Sequence, residues 1–160
     1  MNSLPTPLEL ASYVWYSQAC ALGVFFEFSD YKRFIERKGE YASVPSPIFA
    51  SLKWLTVALL CLALYTVSNN YFYVELCWSK EYLEYSFAYR VFYFYVSMTQ
   101  KRFFYYNPFS MSTGAIVASG LGYNGKSKDG EDQWDKIVSV YIWEVETSAS
   151  PIEMLRFWNH

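Results

Sequence analysis

His160 is the only histidine of the chain, and it directly follows Asn159 at the end of a helix that the spacing predicts from Pro151. An imidazole is the usual proton-transfer group near neutral pH, so this residue invites assignment as a general base. Adjacent helical residues point about 100° apart, however, and on such a helix His160 and Asn159 would not share a face. Taken by itself, Asn159 reads as an ordinary polar residue. Cys20, Cys61 and Cys77 are odd in number and contain no C-x-x-C pair, which suggests neither a disulfide framework nor a metal site. They read as inert thiols. Lys101 and Arg102 interrupt an otherwise uncharged stretch; at membrane depth such charges must be paired or face a wet cavity, or else snorkel to an interface. Gly120-Leu121-Gly122-Tyr123-Asn124-Gly125 is, by itself, a loop or a helix C-cap.

The elements that must position these groups are apolar. Hydrophobic residues make up 53% and aromatics 22% of 160 residues, beyond what one soluble core needs. Net charge is −2 with scattered basic residues, so no nucleic-acid partner is indicated. Residues 1–10 lack a basic n-region and do not form a secretory signal. Charge spacing predicts membrane segments at about 10–26, 54–74 and 91–124. The second is a run of 21 uncharged residues between Lys53 and Glu75, enough to cross a hydrocarbon core of about 30 Å. In the third, either two short helices meet at Lys101-Arg102 or one long helix buries the pair against polar partners.

Segments 27–47 and 126–150 read as polar, cytosolic-type loops. The first, with Lys53, carries five Lys or Arg against two in residues 75–90, which orients it to the cytosol and the latter to the lumen. Within it, Ser29 or Asp30 is expected to cap a short helix through Arg37, ended by Gly39. Residues 137–147 are rich in β-branched side chains, yet a lone strand would leave backbone groups unpaired, so an irregular segment is expected. Ser150 is the predicted cap of the helix from Pro151 through Asn159, with Glu153 three residues on. Tyr85 to Tyr106 holds eleven Tyr or Phe residues, which would line a lipid tunnel or face the bilayer.

Two blocks carry a likeness. Gly23-Val24-Phe25-Phe26-Glu27-Phe28-Ser29-Asp30-Tyr31-Lys32-Arg33-Phe34 is one. The other runs from Arg102 and Tyr105-Tyr106 through Gly114-Ala115, the Gly120–Gly125 loop, Trp134-Asp135, Ile142-Trp143, Val145-Glu146-Thr147 and Trp158-Asn159. In that order they resemble the membrane-bound O-acyltransferase (MBOAT) family, in its eukaryotic lysophospholipid acyltransferase branch. The resemblance implies an all-α, multi-pass transmembrane fold in the endoplasmic reticulum membrane. It implies transfer of a fatty acyl group from acyl-CoA, a co-substrate with no further cofactor, to the free hydroxyl of a lysophospholipid.

That hydroxyl needs a general base, and the acyl carbonyl needs a donor where negative charge develops. The family places the base on a His in a W-H motif one helix beyond an Asn. The Asn maps onto Asn159, whose carboxamide offers two N–H donors for an orienting or oxyanion role; His160 is then a neighbour. Arg102, Tyr106, Asn124 and Trp158 are the matching candidates for substrate binding. Val24 stands where relatives have Pro, Phe109 where they have Trp and Thr113 where they have Glu, and Pro108 enters an expected helix. On this likeness the chain corresponds to a middle portion lacking the base and inactive by itself. A non-catalytic or truncated relative and an unrelated polytopic transporter are the rival expectations.

Overall fold

The structure, a computed structural model, describes residues 4–17 and 25–158. Its chain forms two compact units, one from residues 1–55 with 109–160 and one from 56–108. Among the described residues there is no strand, only two isolated bridges, in keeping with an all-α chain.

In the first unit, α1 (Pro7–Val14) starts at Thr6, whose hydroxyl accepts the Glu9 N–H while the Glu9 carboxylate accepts the Thr6 N–H. This reciprocal cap with Pro at the first position satisfies donors that a helix start otherwise strands. The Tyr13 hydroxyl donates to the Phe26 carbonyl at 2.6 Å. Lys32 Nζ meets Glu9 Oε1 at 2.9 Å, tying α1 to α2 (Phe28–Ile35). Neither Ser29 nor Asp30 caps α2. The cap is Glu27, without a side-chain bond, because Ser29 Oγ donates to the Glu27 carboxylate instead. The helix also stops at Ile35, short of Arg37, which adopts φ 53° just before Gly39 at φ 61°.

A buried hydrophobic cluster of Phe26, Tyr31, Tyr41, Ile116, Leu121, Tyr123 and Ile137 holds this unit together. Edge-to-face pairs such as Tyr13–Phe26 (5.2 Å) and Phe34–Tyr41 (5.4 Å) fill it, each contributing on the order of 1 kcal/mol beyond area burial.

The segment expected at 54–74 is helix α3 (Ile48–Asn69), 22 residues long. It begins after Pro47 and takes Lys53 within its second turn, so charge spacing misplaced its ends. At 1.5 Å per residue it is about 33 Å long, and its leucines 59, 60, 62 and 64 are exposed. Among the described residues it is the one helix long and apolar enough to cross a membrane.

For 91–124 the structure decides between the alternatives. A single 33-residue helix, α5 (Phe87–Ser119), runs unbroken through Lys101, Arg102 and Pro108. It follows α4 (Lys80–Glu84) and ends at Gly120, whose φ of 94° favours glycine. Of the segment expected at 10–26, residues 10–14 belong to α1 and 18–24 lie outside the described residues.

In the second unit, polar bonds cross the apolar surfaces of α3 and α5. Gln100 Nε2 donates to Asn69 Oδ1 at 2.5 Å and Asn107 Nδ2 to the Ala58 carbonyl at 2.8 Å, with Tyr65 against Phe104 between them (5.1 Å). In hydrocarbon such bonds keep helices in register, on the order of 1 kcal/mol each.

Residues 137–147 form no strand. Their second half is a short helix, α6 (Ile142–Thr147), followed by α7 (Pro151–Phe157), where the Ser150 hydroxyl accepts the Glu153 N–H at 3.2 Å as its spacing predicts. Helix α7 stops at Phe157. Trp158 is extended (φ −99°, ψ 123°), because it pairs with Val140 in an antiparallel bridge. The helix expected through Asn159 is thus two residues shorter, and the 100° separation of Asn159 from His160 does not follow. Both residues lie outside the described ones.

Candidate functional site

The two sequence blocks meet in the first unit. The Tyr41 hydroxyl, buried, donates to the Leu121 carbonyl at 2.9 Å, pinning the loop after α2 to the Gly120–Gly125 turn. Above that ring sits a group of four charges. Lys136 Nζ donates to Glu40 and lies 3.6 Å from Asp30, and its ammonium stands 5.4 Å from the Tyr41 ring centroid. Arg33 bonds Asp30 and reaches Glu40 at 3.6 Å.

The charges balance two against two, and both Lys136 and Glu40 are largely covered. Such a pair is worth little as net stability, but removal of one partner leaves an uncompensated charge. The Lys136 hydrogen bond holds the Glu40 carboxyl below its usual value. Burial, then Asp30 and Glu40, raise the Tyr41 hydroxyl well above the usual tyrosine value, so it stays protonated and keeps its bond to Leu121.

Beyond the turn, Asn124 N–H donates to the Gln133 carbonyl and its Nδ2 to Asp135 Oδ1 at 3.0 Å. Asn124 is exposed, and its carboxamide closes the 124–135 loop. The following residues run back along α5. Ser139 N–H donates to Thr113 Oγ1 at 3.1 Å, both residues being buried. Val140 pairs with Trp158, and Tyr141 N–H donates to the Phe157 carbonyl at 3.1 Å. The Trp158 ring then meets Phe109 edge-on, 5.6 Å between centroids and 88° between planes. Phe109 and Thr113, two departures from the expected pattern one helical turn apart, thus form the support on which Trp158 rests.

The structure therefore joins Trp158 to α5, and Asn124 to the block that supports it, within one unit. Arg102 and Tyr106 belong to the other unit. There Arg102 Nη2 donates to Thr99 Oγ1 at 2.9 Å, and Tyr106 is fully buried. Lys136, Glu40 and Tyr41 were not singled out by sequence, because Tyr41 and its partner Leu121 are 80 positions apart and alternating charge in a polar loop ordinarily marks solvation. Thr113 stands out in the sequence only as a departure from the family pattern, and its link to Ser139, 26 positions away, gives no sequence signal.

The chain is 31% identical to Lysophospholipid acyltransferase 2 of Arabidopsis thaliana, over 99% of this chain and 36% of that relative. It is 26% identical to Lysophospholipid acyltransferase 6 of Drosophila melanogaster over 99% of this chain and 24% of the relative. With Membrane-bound glycerophospholipid O-acyltransferase 1 of Mus musculus it shares 28% identity over 99% and 36%. It spans about a quarter to a third of the length of these relatives. A model of the membrane-bound O-acyltransferase family matches residues 2–160. The chain belongs to the membrane-bound O-acyltransferase family.

Proposed function

We propose that this chain is part of a multi-pass lysophospholipid acyltransferase of the endoplasmic reticulum membrane, which moves a fatty acyl group from acyl-CoA to the free hydroxyl of a lysophospholipid. The supporting observation is that the two sequence blocks share one buried cluster through Tyr31, Leu121 and Tyr123, and that Trp158 packs on Phe109 of α5, while relatives 31% and 26% identical bear lysophospholipid acyltransferase names. In this reading the acceptor hydroxyl adds to the thioester carbonyl, and its proton passes to a general base. The Asn159 carboxamide donates to the oxygen on which charge develops, or holds the acceptor in line. The C–S bond then breaks and coenzyme A leaves as thiol. In this reading the base is a His one helix beyond Asn159, not His160, and the chain by itself is proposed to carry no turnover. Arg102 and Tyr106 are proposed to contact substrate. Membership of the family sets the transporter aside.

A second reading is favoured by Phe109 and Thr113. These depart from the family pattern at the support of Trp158, as they would in a relative that has lost the reaction and retains lipid binding. Membranes containing the full-length protein, given labelled acyl-CoA and a panel of lysophospholipids, separate the two. Labelled phospholipid above mock membranes is expected; none with any acceptor would leave the non-catalytic reading.

A further inference from the structure

We infer that the Thr113 hydroxyl is the positioning group that sets Trp158 against α5. Its kinetic consequence rests on the acyl-transfer reading above; its structural consequence does not.

Thr113 is fully buried. A hydroxyl both donates and accepts, and here it does both. Its proton goes to the Phe109 carbonyl at 3.0 Å. The Ser139 hydroxyl oxygen, 3.2 Å away, is a second acceptor for that proton, and the Thr113 oxygen itself accepts the Ser139 N–H at 3.1 Å. Ser139 leads into Val140, which bridges to Trp158, and the Trp158 ring returns to Phe109. The path from Phe109 through Thr113, Ser139, Val140 and Trp158 is therefore closed, and the Thr113 hydroxyl is its polar contact with α5.

Without that oxygen, the Ser139 N–H is buried with nothing to accept it, a loss that water cannot make good there. The remaining link is the Phe109–Trp158 ring contact, which fixes distance better than direction. Small displacements near reacting groups cost rate out of proportion to stability.

The test uses the full-length protein in nanodiscs, with Thr113→Val, which keeps shape and removes the hydroxyl, and Thr113→Ser, which keeps the hydroxyl. Hydrogen exchange of peptides covering Ser139 and Tyr141 is the readout independent of turnover. Thr113→Val should speed exchange there, with the Gly120–Gly125 turn unchanged, and Thr113→Ser should restore protection. In acyl transfer, Thr113→Val should lower kcat about tenfold or more while both KM values stay within about twofold; Thr113→Ser should recover most of it. Wild-type exchange in Thr113→Val overturns the inference, as does a Thr113→Ser variant as impaired as Thr113→Val. Absence of turnover in the unaltered protein would sink the acyl-transfer reading alone, since exchange still decides the role of Thr113.

Discussion

At the scale of single residues, Glu40 couples the fold to pH. Its carboxyl is held below the ordinary value, first by the hydrogen bond from Lys136, so the folded state binds a proton there less readily than the unfolded chain. The stability this contributes is present above the ordinary Glu pKa of about 4.3 and is lost as pH falls through the lower folded value. Thermal unfolding between pH 7 and pH 3 should show this loss, and Glu40→Gln should flatten the profile while lowering stability at pH 7, because Lys136 and Arg33 then share Asp30 as their one carboxylate in this group. An unchanged profile would remove Glu40 from the account. His160 is a second residue-scale test. On the proposed reading, in which Asn159 serves the reaction and the base lies on another helix, His160→Ala should lower kcat far less than Asn159→Ala does, when both variants are compared at matched expression. A more damaging His160→Ala would reverse the assignment.

At the scale of elements, Gly114 marks where α5 lies closest to α3 in the first unit. A Cβ at Gly114 would stand 3.2 Å from Trp54 Cβ and 3.7 Å from the Leu55 nitrogen. A branched side chain has no room there, so Gly114→Val should cost on the order of 1–3 kcal/mol by overpacking, seen as a lower unfolding temperature in detergent; equal or higher stability would show that the helices part freely.

Sequence located these elements better than their ends. The 21-residue uncharged run pointed to α3 and Ser150 to α7, because length and a capping hydroxyl are local signals. The end of α7 at Phe157 was not legible, since the Val140 bridge that stops it is set by chain 18 positions away. Nor was the choice of one helix over two at Lys101-Arg102, since two charges in an apolar run are compatible with either. For the site, the order of blocks indicated Trp158 and Asn124, whereas the charges on Tyr41 and the Thr113–Ser139 link come from tertiary proximity that no spacing encodes.

At the scale of the whole molecule, an exposed 22-residue apolar helix needs lipid around it, and burying its side chains there contributes about 25 cal/mol per Å² of apolar surface. The chain should stay in the pellet after alkaline carbonate extraction; recovery chiefly in the supernatant would refute membrane integration. The central claim is that this chain, with Trp158 held against Phe109 of α5, serves acyl transfer to a lysophospholipid in which Asn159 is the proposed donor. Its most direct measurement is formation of labelled phospholipid from labelled acyl-CoA and lysophospholipid by membranes with the full-length protein, unaltered or as Asn159→Ala. The account predicts turnover well above mock membranes and a fall in kcat of about two to three orders of magnitude in Asn159→Ala, the scale for losing one oxyanion donor. Turnover at mock level for the unaltered protein, or full activity in Asn159→Ala, would contradict it.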